Sequence, residues 1–125
     1  VDVRIIVPRH NNHGFVALAS RSLYGDLLRG GVRIYEKKGG FSHIKALLVD
    51  QEWGFMGSSN CDNRSFRLNY ELDFCFEGGN MIREMRDRIR EELQHSEAVD
   101  LYTVEHRNFV LRMAQNLCSL LSPIL

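Results

Sequence analysis

The sequence predicts an α/β domain, a mixed β-sheet flanked by helices, and three observations carry that prediction. A β-branched run, a helical stripe and a second alternating run follow one another within the first 35 residues. That is the order of a β-α-β unit, whose two strands lie parallel. Further short runs with period-two alternation come next, separated by turn residues. A charged segment with an apolar residue at every fourth position follows them, as in a surface helix that packs through one face.

Val1 to Val7 reads as a buried strand closed by Pro8, and Arg9 to Gly14 as a polar loop. Phe15, Ala19, Leu23 and Leu27 recur at helical spacing, with Val16, Leu18 and Leu28 beside them, until Gly30-Gly31 stops the helix. Val32 to Tyr35 alternates as a second strand. Lys37-Lys38-Gly39-Gly40 is a basic, solvated loop that could meet anionic head groups. Ile44 to Val49 and Trp53 to Met56 read as two strands joined through Asp50-Gln51-Glu52, with Trp53 in the core. Leu68 to Phe76 reads as a fifth strand, with Tyr70, Leu72, Phe74 and Phe76 on one face and Glu71, Asp73 and Cys75 on the other. After Gly78-Gly79, Met81, Met85, Ile89 and Leu93 form the apolar stripe of a helix. Ser96 to Thr103 could hinge an apolar, amphipathic tail that runs through Phe109, Met113, Leu117 and Leu121 until Pro123 interrupts it. The expected division is a body over 1–100 and a helical tail over 101–125.

At 125 residues the chain can build one core but is short for a two-lobed enzyme, and it opens on Val1, so it reads as an excised piece of a longer protein. Sixteen basic and sixteen acidic residues cancel, which argues against a nucleic-acid partner held by overall charge. Cys61, Cys75 and Cys118 make an odd set without C-x-x-C spacing, so a disulfide framework or zinc site is not expected and a reducing surrounding is the simpler reading. No apolar stretch reaches the roughly 18–20 residues that cross a bilayer.

The chemistry concentrates in His43-x-Lys45-x4-Asp50, followed by Gly57-Ser58-x-Asn60. An imidazole is largely unprotonated near neutrality and can serve as a nucleophile. Lys45 projects from the same face of an extended segment as His43 and can set a point charge on a phosphate oxygen. Ser58 and Asn60 also share parity and offer neutral donors to a five-coordinate phosphorus. These groups would serve attack on a phosphodiester without a metal, and no carboxylate cluster for magnesium is evident, so no cofactor is expected. Asp50 lies seven residues from His43, about 20 Å at roughly 3.3 Å per residue, and is assigned a structural role with Gly57. Arg64 and Ser65 are expected to brace the loop after Asn60. His10, His13, His95 and His106 belong to no pattern and read as surface residues.

Together with Cys61 to Glu71, these motifs resemble the phospholipase D superfamily and, within it, the second catalytic half of bacterial cardiolipin synthases. The resemblance covers most of the chain. It implies a phospholipase D-like fold forming one catalytic half of a two-lobed enzyme, a phosphohistidine on His43, and a carboxylate, Glu71 of Asn69-Tyr70-Glu71, that orients the imidazole. A second imidazole protonates the leaving alcohol in that family and comes from a second motif copy, supplied in cis or by a homodimer. Sequence alone does not separate nucleophile from acid. The implied substrate is a phosphatidylglycerol-like phospholipid at the cytoplasmic face of the cell membrane. A lipid-hydrolysing phospholipase and a dimeric endonuclease remain as alternatives, and the tail could pack on the missing half or lie on the membrane surface.

Overall fold

A computed structural model describes residues 1–10, 14–39, 43–108 and 113. The chain divides into two compact units, one formed by Val1–Phe41 with His95–Leu125 and one by Ser42–Gln94. Most of the expected apolar tail, Cys118 included, lies outside the described residues, as does His13.

In the first unit, β1 (Arg4–Pro8) and β2 (Arg33–Lys37) pair in parallel from Arg4 opposite Arg33 to Pro8 opposite Lys37, as a β-α-β unit requires. The expected single helix between them is two, α1 (Gly14–Ser22) and α2 (Tyr24–Arg29). The break has a local cause. The Ser22 hydroxyl donates to the Ala19 carbonyl at 2.6 Å, and the Leu23 amide closes a tighter turn onto the Ser20 carbonyl at 3.2 Å. Gly31 ends α2 in the left-handed region at φ 87°, where glycine carries no Cβ penalty.

Ser96–Ala98, expected as a hinge, is instead a short strand, β6, antiparallel to β2 with Tyr35 opposite Ala98. The first sheet is therefore mixed, in the order β1-β2-β6. Its core holds Ile34 at 2% exposure with Ala19 and Tyr24, and complete burial of one such aliphatic side chain contributes about 1.5–3 kcal/mol. Beside that core, Arg21 donates to Glu36 at 3.1 Å and the Tyr24 hydroxyl to the same carboxylate at 3.4 Å. A short helix, α5 (Leu101–Glu105), is capped by Asp100, whose carboxylate accepts the Thr103 amide at 2.9 Å. It packs on α2, with Arg29 paired to Glu105 at 3.4 Å.

The second unit is an antiparallel sheet of β3 (Ala46–Val49), β4 (Trp53–Gly57) and β5 (Asp73–Glu77), in that order, with α3 (Asn63–Arg67) in the β4–β5 connection and α4 (Gly79–Gln94) after it. The fifth strand is shorter than the alternation from Leu68 suggests: α3 ends at Arg67, a turn follows at Leu68 and Asn69, and Tyr70 to Leu72 run into β5 outside any strand. Helix α4 packs on this sheet through Ile82 and Met85, both buried. Ile82, not Met81, leads the apolar stripe, and Met81 is exposed. Gly54 makes the close approach possible, since a Cβ there would lie 2.8 Å from Ile82 Cδ1 and 2.9 Å from Met85 Sδ. Trp53 is on the opposite face, stacked on Phe55 with ring centroids 6.5 Å apart, and is 37% exposed rather than in the core.

Candidate active site

The register of the second sheet brings the motif blocks to one end. Ala46 stands opposite Met56 and Met56 opposite Phe74. One step further out, the Gly57 amide donates to the Lys45 carbonyl at 3.2 Å, and Gly57 stands opposite Asp73. Lys45, Gly57 and Asp73 thus form a row across the strand ends. His43 and Lys45 lead into β3, Ser58 to Asn60 leave β4, and Glu71 leads into β5. His43 is exposed and Lys45 half-buried.

Asp50 is at the opposite end of the same hairpin. It and Gln51 occupy the left-handed region, at φ 49° and 62°, inside a turn closed by the Glu52 amide on the Val49 carbonyl at 3.1 Å. Two such residues in succession give the turn a twist that suits a hairpin, and Asp tolerates the conformation better than most residues. Asp50 is thus a residue of the turn that joins β3 and β4.

Ser58 is the best-connected of the candidate residues. Its hydroxyl donates to Glu71 Oε2 at 2.6 Å and accepts the Leu72 amide at 2.9 Å, while its own amide donates to the Leu72 carbonyl at 3.1 Å. Asn69 Nδ2 reaches the other Glu71 oxygen at 3.3 Å. The Ser58 hydroxyl, then that of Ser65, hold the Glu71 carboxyl below its ordinary range, and the charge of Asp73 works in the opposite direction. A carboxylate held ionised beside a serine hydroxyl keeps that hydroxyl in one orientation.

Asn60 is placed through its backbone. Its amide donates to the Ser65 hydroxyl at 3.0 Å, and Ser65 is buried at 8% exposure. The Ser65 amide in turn donates to Asp62 Oδ1 at 2.7 Å, the bond of an N-cap onto the third residue of a helix. Helix α3 therefore serves as the support on which the Ser58-Ser59-Asn60 loop rests.

Two contributors escape the motif pattern, Ser59 and Asp73. Asp73 Oδ1 accepts the Ser59 amide at 3.1 Å and Oδ2 accepts the Ser59 hydroxyl. The parity of Asp73 with Glu71 on the approach to β5 was a usable signal, whereas its reach across β4 depends on Gly57 having no side chain. Around the loop, Ile44, Phe66, Leu68, Tyr70, Leu72 and Phe74 are all exposed. Cys61 and Cys75 are free and exposed. Among the described residues no group of three or more His, Cys, Asp or Glu could hold a metal ion, and no helix is long and apolar enough to cross a membrane.

An α/β chain with these two motifs at one end of an antiparallel sheet is a phospholipase D-like domain. The model of the family described as "Cardiolipin synthase, PLD-like domain" matches residues 1–93, and the chain belongs to that family. It is 37% identical over its whole length to a cardiolipin synthase of Geobacillus kaustophilus and 36% identical to one of Alkalihalophilus pseudofirmus. A cardiolipin synthase 2 of Staphylococcus epidermidis is 35% identical, again across the whole chain. The chain spans about a quarter of the length of these relatives, 25% of the first two and 26% of the third.

Proposed function

We propose that this chain is the second catalytic half of an enzyme that transfers a phosphatidyl group between two phospholipids and so makes cardiolipin. The observation that carries the proposal is the row of Lys45, Gly57 and Asp73 across one sheet end, with the Ser58 hydroxyl fixed on Glu71 beside it. The relatives' name supports the substrate class, and the exposed apolar side chains around the loop suit a substrate that carries acyl chains.

In the proposed reaction a His43 ring nitrogen attacks the phosphorus of a phosphatidylglycerol-like lipid. An N–P bond forms, the P–O bond to glycerol breaks, and the glycerol oxygen takes a proton from an imidazole of a second motif copy, in cis or on a second chain. The hydroxyl of a second phosphatidylglycerol then gives its proton back to that imidazole and attacks phosphorus, releasing His43. Lys45, Ser58 and Asn60 take the charge that grows on the phosphoryl oxygens, the work a metal does elsewhere. Glu71 orients the His43 ring and the Ser58 hydroxyl together. The reaction takes place at the cytoplasmic face of the cell membrane.

Trapping tests this in the full-length protein. Acid quenching during turnover of a phosphate-labelled lipid should leave label on the protein, His43→Ala should abolish it, and turnover should persist in a chelator of divalent ions. Label retained by His43→Ala assigns the nucleophile to the other half. Phosphatidic acid as the main product reassigns the acceptor to water, and activity lost in chelator but restored by magnesium defeats the metal-free mechanism.

A further inference from the structure

We infer that Asp73 is a positioning residue for this chemistry, acting through Ser59 to hold the donors Ser58 and Asn60 at the phosphate. The inference rests on the proposed reaction and deepens it. Asp73 belongs to neither motif, and beyond its parity with Glu71 the sequence gives it no mark of a role in catalysis.

Three features of the structure bear on it. First, the Asp73 carboxylate lies over the Gly57 backbone, in the space a side chain at Gly57 would occupy: a Cβ built there would come 2.6 Å from Asp73 Cα and nearer still to Asp73 Oδ1 and the Leu72 carbonyl. The glycine of the second motif is thus the notch through which a β5 side chain crosses to the loop beyond β4. Second, the carboxylate uses both oxygens on one residue, accepting the Ser59 amide at 3.1 Å and the Ser59 hydroxyl. Such a two-point hold restricts rotation about the Ser59 backbone, which a single bond would leave free. Third, Ser59 sits between the two proposed phosphate donors, with Ser58 tied to Glu71 on one side and the Asn60 amide tied to Ser65 on the other.

The loop is therefore fixed at three successive residues, Ser58 and Ser59 by the start of β5 and its lead-in and Asn60 by α3. Asp73 supplies the middle fixing point, and its removal leaves Ser58 and Asn60 hinged about Ser59. A carboxylate close to a phosphate site opposes the binding of an anion by its charge. Its presence makes sense for geometry and not for attraction, and this separates positioning from ligand binding in experiment.

Phosphatidyl transfer by the full-length protein and its inhibition by vanadate, a mimic of five-coordinate phosphorus, test the inference. For Asp73→Ala, kcat and vanadate affinity should both fall by about 10²-fold, the order expected for a displacement of roughly 1 Å, with KM changing by less than about threefold. Asp73→Asn keeps an acceptor for the Ser59 amide and lowers the local negative charge, so it should restore both quantities to within about fivefold of the wild type. Ser58→Ala reports on the underlying reaction and should cost about 10²–10³-fold in kcat.

A full loss for Ser58→Ala with Asp73→Ala unimpaired overturns the role of Asp73 alone. A fully active Ser58→Ala removes the phosphate role of the loop, and the inference with it. Equal losses in Asp73→Ala and Asp73→Asn show that charge matters and not the hold on Ser59, which also overturns it. Should Asp73→Ala not accumulate as folded protein, Ser59→Ala decides, since it deletes one of the two bonds. About tenfold weaker vanadate inhibition supports the inference, and unchanged inhibition refutes it.

Discussion

Gly57→Ala should open the end of the second sheet where the motif blocks meet. The added methyl would lie 2.6 Å from Asp73 Cα and also against the Leu72 carbonyl, both parts of a backbone that has no rotamer by which to withdraw. Strand β5 must move, at an overpacking cost of about 1–3 kcal/mol. Displacing the Asp73 carboxylate also breaks its two bonds to Ser59, worth about 0.5–1.5 kcal/mol each. The total is about 2–6 kcal/mol of local stability, a large part of what a domain has. Hydrogen exchange read by mass spectrometry in the full-length protein measures it directly. The Ser58 and Ser59 amides, bonded to the Leu72 carbonyl and to Asp73, should exchange about 30-fold to 10⁴-fold faster, at roughly tenfold per 1.4 kcal/mol. Gly54→Ala is the control. Its new methyl meets only the far ends of Ile82 and Met85, which can rotate away, so the cost should stay near 1 kcal/mol. Unchanged exchange at Ser58 in Gly57→Ala, or a larger effect of Gly54→Ala, would refute the reasoning.

The lowered pKa of Glu71 gives the Ser58 link a pH dependence of definite sign. A carboxylate whose folded pKa is depressed adds stability above its unfolded value and loses it as pH falls through the folded one, so the link should survive the ordinary glutamate range and fail only below it. Carboxyl carbon shifts of Glu71 followed by NMR should show this, with Ser58→Ala moving the titration upward toward the ordinary range. Tyr24 behaves in the opposite sense: burial first, then the Glu36 charge, push its phenol from 10.0 to about 12. The stability it adds is complete below 10.0 and is lost as pH rises toward 12, which difference absorbance of the phenolate during alkaline titration should follow; ionisation at the ordinary value would contradict its burial.

The parts of this structure legible in the sequence are those set by strong periodicity or by motif spacing. The parallel pairing of β1 and β2 follows from a helix between two apolar runs, and the shared sheet end of His43, Lys45 and Ser58 follows from strand alternation around a short turn. What escaped notice depends on partners distant in sequence. Ser96-Glu97-Ala98 has no strand propensity to speak of and becomes β6 because β2 offers it an edge. Helix α3 is too short to show a period, though Asp62 three residues before Ser65 was a usable cap signal. Trp53 looked like a core residue because apolar content does not say which face of a sheet a helix covers. Asp73 looked like one more alternating polar residue, since its contact requires both the register of β5 and the missing side chain of Gly57.

The turn at Asp50 and Gln51 has a consequence for how this chain tolerates insertion. In a hairpin the pairing is a counting rule, and Val49 opposite Trp53 commits Lys45 to lie beside Gly57. One residue added to or removed from the turn would slide the cation past the notch and reverse the face on which every later β4 side chain stands. The aspartate that closes the first motif, at the far end of the hairpin from Lys45 and Gly57, thus acts as a gauge block: it sits in the turn that sets the length of the hairpin, and through that length the alignment of two residues it never touches.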